Sequence, residues 1–388
     1  MKALSNVAKT VTNSPIRQMF NRALGMSDVI SFTVGEPDFS TPPHIVEAAV
    51  DALRRGEHHY TPNAGILPLR KAISDSVARS HGLRYDLETE IIVTAGGMEA
   101  LMLTMLTILD PGDEIILSDP CWTNYSRQAL ICHANPVFVP VDASTSFQFD
   151  QAALEAAITD RTKAFIINSP ANPTGGIADL DTLKKLAEVA IRHDLYVISD
   201  EVYANLLYEG NVANSIATLP GMKERTIIVN SFSKTYAMTG WRVGMAFGPS
   251  EIIKNMIKLQ ENVAACVNSA AQYGAIAALE GTQEPLHEMQ RAYQRRREII
   301  VDGFSKIAGL DCFAPQGAFY ALVNISSTGM SANEFALDLL EKERVIVVPG
   351  DAFGQCSNCY VRLSFATSEE NIREGLKRIG RYMASLEK

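Results

Sequence analysis

The chain is poor in cysteine, histidine and tryptophan: six, seven and two of them in 388 residues. Cys121, Cys132, Cys266, Cys312, Cys356 and Cys359 are scattered without the spacing of a disulfide-stapled scaffold, so a reducing compartment is expected. Cys356-Ser357-Asn358-Cys359 has C-x-x-C spacing, but a structural zinc site needs a second ligand pair. The histidine pair His58-His59 lies in a different segment, and no metal is expected. Long apolar runs are missing too. The strongest, Met98 to Leu109, is too short for a bilayer and carries Thr104 and Thr107, so it reads as a buried helix. The N-terminus has no apolar signal-peptide core, and a cytoplasmic location is expected. There is no internal repeat, no low-complexity tract and no long charge run. The basic cluster Arg295-Arg296-Arg297 falls in a helical pattern and is expected to lie on a solvated helix face. A formal net charge of −9 speaks against a nucleic-acid surface, though a few local arginines would still bind a small anion.

What is present is length and alternation. A chain of 388 residues suggests two domains. Strand and helix patterns alternate from about Ile91 to Phe247, which predicts an α/β unit with a mostly parallel, helix-flanked sheet. Helical patterns follow from Glu251 to Ala308. A smaller α+β unit is then expected, with strands near Ala318 to Val323, Val345 to Val348 and Val361 to Phe365, and a closing helix from Glu369 to Leu386.

Three predicted strand ends carry chemistry. The run Thr226 to Val229 leads into Asn230-Ser231-Phe232-Ser233-Lys234, and Gly240-Trp241-Arg242 follows. A lysine just past a buried strand loses water, and the neutral amine attacks carbonyls. Ser231, Ser233 and Arg242 are donors suited to a phosphate. A phosphate-tethered, carbonyl-bearing cofactor held by Lys234 as a Schiff base fits all of them. Thr162 to Ile167 runs into Asn172, and Leu195 to Ile198 into Asp200 and Tyr203. Ligands of open α/β sheets bind outside the carboxyl ends of the strands, so these groups should converge. A carboxylate at Asp200 would keep a pyridine nitrogen protonated, and Asn172 and Tyr203 would hydrogen-bond the ring's phenolic oxygen. Thr94-Ala95-Gly96-Gly97 before the Met98 helix adds backbone amides that favour an anion. Arg362, among apolar neighbours in the pattern Tyr360 to Ala366, is expected to be half-buried and to seek a bidentate anion.

These motifs, S-x-S-K…G-x-R with Asn172 and Asp200-x-x-Tyr203, resemble the class I pyridoxal-phosphate-dependent aminotransferases of fold type I, within the aspartate/aromatic group. The resemblance extends from Gly35 to the last helix. It implies a three-layer large domain with a mostly parallel sheet, residues 45–285, and a small α+β domain from residues 1–44 and 286–388. It implies pyridoxal 5'-phosphate on Lys234, with phosphate contacts from the amides of Gly97 and Met98. Trp122 would stack on the pyridine ring, Arg362 would grip the substrate α-carboxylate, and the backbone of Gly35 would lie against the substrate. Tyr60, in His58-His59-Tyr60-Thr61-Pro62, would reach the cofactor phosphate of a second subunit, which makes the expected unit a homodimer with shared sites. The implied reaction is ping-pong transamination, with Lys234 as acid/base, Asp200 and Tyr203 tuning the ring, and an amino acid and a 2-oxo acid as substrates. Some bacterial aspartate-preferring relatives carry a lysine beside the phosphate glycines. Met98 stands there, so neutral or aromatic side chains are expected, with aspartate possible. The same lysine and aspartate also support C–S β-elimination. A non-catalytic cofactor-binding regulator is the third reading; such regulators usually carry an added DNA-binding domain, and here the chain starts almost at the enzyme fold.

Overall fold

The structure, a computed structural model, describes residues 2–12 and 15–386. Segments such as Ile91-Ile92-Val93-Thr94 and Thr226-Ile227-Ile228-Val229 are apolar on both faces, so their strands must be covered from both sides. After a two-residue strand β1 (Ile30–Ser31), seven such segments form one sheet: β2 (Ile91–Thr94), β3 (Glu114–Asp119), β4 (Asn135–Pro140), β5 (Thr162–Asn168), β6 (Tyr196–Asp200), β7 (Thr226–Ser231) and β8 (Gly244–Phe247). Their order is β2-β8-β7-β6-β5-β3-β4. Neighbours are parallel except at β8, which runs antiparallel to both β2 and β7. Alternate residues serve opposite layers. Ile115 and Leu117 pack with Leu101 and Leu103 of helix Gly97–Ile108, whereas Ile116 packs with Leu183 and Leu186 of helix Leu180–Arg192. The result is the expected helix–sheet–helix sandwich.

The register places the site. Asn168 pairs with Asp200, Asp200 with Val229, Ser231 with Gly244, and Gly244 with Thr94. The ends of β5, β6, β7 and β2 therefore line up along one edge.

Beyond the long helices Ser250–Val263, Ser269–Glu280 and Glu284–Phe304, the chain adds β9 (Asp311–Cys312), β10 (Tyr320–Asn324), β11 (Val345–Ile346), β12 (Val348–Pro349) and β13 (Tyr360–Ser364). Four of these make an antiparallel sheet in the order β12-β13-β10-β9, while β11 pairs with β1. A separate core joins this sheet to helices Glu284–Phe304, Ala332–Glu343 and Glu369–Leu386 through Phe304, Phe335, Leu363 and Tyr382.

Two expectations are corrected. The single strand expected at Val345 to Val348 is divided between two sheets; all four residues are fully buried, so the chain can serve a partner on each side. The arginine cluster is not a solvated face. Successive helix residues point about 100° apart, so three in a row cannot share one side. Only Arg295 is exposed, at 3.2 Å from Glu369. Arg296 is buried and makes two bonds of 2.7 and 2.8 Å to Asp38, and Arg297 makes two of 2.5 and 2.9 Å to Glu209. They fasten the long helix to the N-terminal segment and to the loop after β6. No helix among the described residues is long and apolar enough to cross a membrane. All six cysteines are free, and the described residues hold no cluster of metal ligands.

Candidate active site

Lys234 lies on the short turn of helix Phe232–Thr235 that follows β7 directly. The Ser231 side chain caps that turn by accepting from the Ser233 amide, and its hydroxyl lies 2.9 Å from the Ser233 hydroxyl. The strand end thus fixes the lysine and both serines together. Lys234 Nζ donates to the Gly35 carbonyl at 2.5 Å. Desolvation lowers its ammonium to about 8; the charges of Arg242 and Arg362 add to this and Glu36 opposes it. A far larger share of neutral amine is present near neutrality than an ordinary lysine offers.

Across the cavity, Asp200 is 4% exposed at the end of β6. Its carboxylate accepts from the Tyr125 hydroxyl at 2.5 Å and from the Val202 amide at 3.2 Å. Burial pushes the Asp200 carboxyl up to about 6, and among the described residues it makes no ion pair. A buried carboxylate that faces a cavity and has no ion-pair partner calls for a ligand that carries a positive charge.

Anion donors gather at a third corner. Helix Gly97–Ile108 starts without a side-chain cap at Gly96, which leaves the amides of Gly97 and Met98 for a ligand. Gly96 has φ +83°, and a Cβ there would lie 2.4 Å from the Arg242 guanidinium. The exposed Arg242 side chain lies across this glycine and donates to the carbonyls of Ala95 and Thr239 at 3.1 and 3.0 Å. Trp122, Asn172, Tyr203, Ser231, Ser233 and Lys234 line the same cavity as Gly97, Met98, Asp200 and Arg242.

Arg362 enters from the small sheet. It is 1% exposed, more deeply buried than expected, with its guanidinium 4.6 Å from the Tyr320 ring centre and 4.9 Å from that of Phe353. It donates to Asn172 Oδ1 at 3.2 Å and to the Thr33 carbonyl at 2.6 Å. Among the described residues, its buried Nε has no hydrogen-bond partner. Asn172, held through its amide by Asn168 Oδ1 at 2.9 Å, thus links the two halves of the site. Gly35 adjoins the site through its carbonyl, which accepts from Lys234. Tyr60 does not join it: this side chain is 90% exposed and outside the cavity.

Sequence reasoning missed four contributors: Tyr125 on Asp200, Tyr320 beside Tyr203, Phe353 against Arg362 and the Thr33 carbonyl. Only Tyr125 carried a signal, three residues beyond Trp122.

A reactive amine, an unpaired buried carboxylate, uncapped amides beside serines and an arginine, and a buried guanidinium together fit pyridoxal phosphate and an amino acid. Comparison with known proteins agrees. The family described as aminotransferase class I and II matches residues 27–379. The putative aminotransferase YugH of Bacillus subtilis is 41% identical over 98% of this chain and 98% of its own. Aromatic-amino-acid aminotransferase 2 of Thermococcus litoralis is 39% identical over 97% of each chain. The solved structure of aspartate aminotransferase from Thermus thermophilus with maleate superposes with a TM-score of 0.94 at 39% identity, covering 98% of this chain and 100% of that one.

Proposed function

The chain belongs to the class I and II aminotransferase family, and from that premise we propose its substrates, its residue roles and its assembly. It is a pyridoxal-phosphate-dependent aminotransferase that moves amino groups between amino acids and 2-oxo acids. We assign it neutral or aromatic amino acids, with aspartate also a possible substrate. One observation carries the residue assignment: the depressed Lys234 amine and the Asp200 carboxylate, which has no ion-pair partner, line one cavity, and the buried Arg362 guanidinium is tied to its wall through Asn172.

Pyridoxal phosphate supplies a carbonyl that accepts an amine and a ring that withdraws electrons. The amides of Gly97 and Met98, with Ser231, Ser233 and Arg242, would hold its phosphate. Asp200 would hold the proton of its ring nitrogen, Trp122 would cover its face, and Asn172 and Tyr203 would hydrogen-bond its phenolic oxygen. Lys234 Nζ would be the group that holds the carbonyl carbon, and its free amine would act as the acid/base for the proton on the substrate Cα. Arg362 holds the substrate carboxylate through two parallel bonds and so orients the Cα bond that breaks. Met98, at the rim of the cavity and 39% exposed, offers a thioether that cannot pair with a second carboxylate.

We assign residues 45–285 to the large domain and 1–44 with 286–388 to the small one; residues 1, 13, 14, 387 and 388 lie outside the described structure. The separate cores of the two sheet systems support this division. We also propose a cytoplasmic homodimer with shared sites. An apolar groove lined by Val46, Val50, Leu53 and Ala270 runs up to Arg242, and Tyr60 stands exposed outside its own cavity.

The test of the activity is a panel of amino donors against 2-oxoglutarate, pyruvate and phenylpyruvate. With an amino donor alone, an aminotransferase stops after one stoichiometric turnover, whereas a lyase would keep releasing 2-oxo acid and ammonia and would end this reading. For the assembly, Tyr60→Ala and Lys234→Ala proteins are mixed under subunit exchange. Shared sites should restore activity in the hybrids, and no recovery despite exchange would place both residues in one chain's site.

A further inference from the structure

We propose that Tyr320 is a positioning residue with two separate duties: its hydroxyl sets the hydroxyl of Tyr203, and its ring holds the guanidinium of Arg362. The proposal rests on the reading of the site given above.

The register of β10 on β13 makes the arrangement possible. Leu322 pairs with Arg362 and Tyr320 with Ser364, so Tyr320 and Arg362 are diagonal neighbours on one face of an antiparallel pair. That places the Arg362 guanidinium 4.6 Å from the Tyr320 ring centre. The Tyr320 and Tyr203 hydroxyls lie 2.9 Å apart, and the two rings meet edge-on. A third element touches the same phenol. A Cβ at Gly35 would fall 2.4 Å from the Tyr320 oxygen, so the backbone segment whose carbonyl accepts from Lys234 is packed on that hydroxyl. Three parts of the site therefore meet at one side chain that is 1% exposed.

Core packing alone does not account for it. A phenylalanine would fill the same space without burying a hydroxyl, and a buried hydroxyl is costly unless it is hydrogen-bonded. Tyr203 is the hydrogen-bond partner the Tyr320 hydroxyl has among the described residues. A phenol has one proton to give and can accept besides. With Tyr320 donating, the Tyr203 oxygen is occupied as an acceptor and its own proton is left for the cavity, where a chain of two hydroxyls makes it a stronger donor. The charged groups around the pair are Asp200, on the Tyr203 side, and Arg362, which lies over the Tyr320 ring and whose charge acts on both phenols. The ring does a different job. It gives the buried guanidinium a π-face on which to rest without taking up any of its N–H groups.

Two variants separate the duties, read in holoenzyme by absorbance and by binding rather than by turnover. Tyr320→Phe keeps the ring and removes the hydroxyl. The pH midpoint of the bound cofactor's visible absorbance should rise by roughly 0.3 pH unit or more, because a weaker donor stabilises the deprotonated phenolic oxygen less. Its dissociation constant for a 2-methyl amino acid, which carries the carboxylate but no Cα proton, should stay within about twofold of wild type. Tyr320→Leu removes the ring, and that dissociation constant should rise roughly 2- to 30-fold. If Tyr320→Leu does not fold, Tyr320→Met fills more of the space and replaces it. An unmoved midpoint in Tyr320→Phe, or unmoved binding in Tyr320→Leu, overturns the corresponding duty. Equal losses of binding in both variants would make Tyr320 a packing residue only. A wild-type protein that takes up no borohydride-reducible cofactor would sink the parent reading instead, and its absorbance shows that before any variant is made.

Discussion

In the proposed roles, the two halves of the site hold two anions by different means. On the large-sheet side, the phosphate corner combines uncapped backbone amides at Gly97 and Met98 with two buried serines and an exposed Arg242. On the small-sheet side, the carboxylate corner is dry and built from side chains, with Arg362 buried between Tyr320 and Phe353 and held by Asn172 and Thr33. The difference follows from how long each anion stays. A resident phosphate needs many donors of moderate strength. A substrate carboxylate leaves every half-reaction, so its partner must stay in place while unliganded, and aromatic walls and protein acceptors keep the buried guanidinium fixed.

The comparison can be broken first at the residue between the halves. Lys234→Ala should leave no measurable turnover and no borohydride-reducible link, while phosphate binding persists weakly. Turnover at the wild-type rate would remove Lys234 from the chemistry. On the cofactor side, Asp200→Ala should keep the fold and lose roughly two or more orders of magnitude in kcat. Activity within a few-fold of wild type would mean that the ring nitrogen is not held by this carboxylate. On the substrate side, Arg362→Leu should raise KM for amino acid and oxo acid alike, by roughly 10- to 150-fold for the loss of a charge-assisted pair, with cofactor absorbance intact. Arg362→Lys should recover little, since a point charge cannot make two parallel bonds. Unaltered KM values would reduce Arg362 to a structural role.

The same contrast decided what the sequence could reveal. Groups on the cofactor side stand at strand ends next to turn residues, so Asn172, Asp200, Ser231 and Lys234 could be read as convergent before any coordinates. The strand limits were nearly right for the same reason, because apolar runs end where the chain leaves the sheet. The carboxylate side hides its parts inside regular elements. Tyr320 and Phe353 look like any buried aromatic, and a carbonyl such as Thr33 has no sequence signature. Arg296 and Arg297 misled because their partners, Asp38 and Glu209, come from distant segments and only the fold brings them together.

A pH experiment sharpens the contrast between the two sides at the lysine itself. Desolvation and two arginines bring Lys234 to about 8, whereas a free lysine titrates near 10.5. In apo-protein, the rate of covalent pyridoxal-phosphate uptake should rise roughly tenfold per pH unit below that value and level off above it. The linkage has a definite sign. Between about 8 and 10.5 the unfolded chain keeps a proton that the folded chain has released, so this lysine's contribution to stability improves as pH rises through that window. Uptake that kept climbing to pH 10 would show a lysine with ordinary solvation.

The smallest effect tests whether the rim of the cavity belongs to either anion site. Met98 contributes its amide to the phosphate corner but its side chain faces the opening, 39% exposed, with its sulfur 3.4 Å from Asn124 Nδ2. Met98→Lys would leave that amide in place and add one cation beside the substrate. The new charge would be solvated, and exposed ion pairs contribute about 0–1 kcal/mol. The ratio of kcat/KM for aspartate over phenylalanine should therefore rise by roughly two- to fivefold, through KM for aspartate, with the absorbance of the bound cofactor unchanged. A gain much larger than this would mean that the rim is drier than its exposure indicates. No gain at all would place the second carboxylate of aspartate elsewhere, and the distal specificity of this enzyme would then have to come from another residue or from the neighbouring subunit.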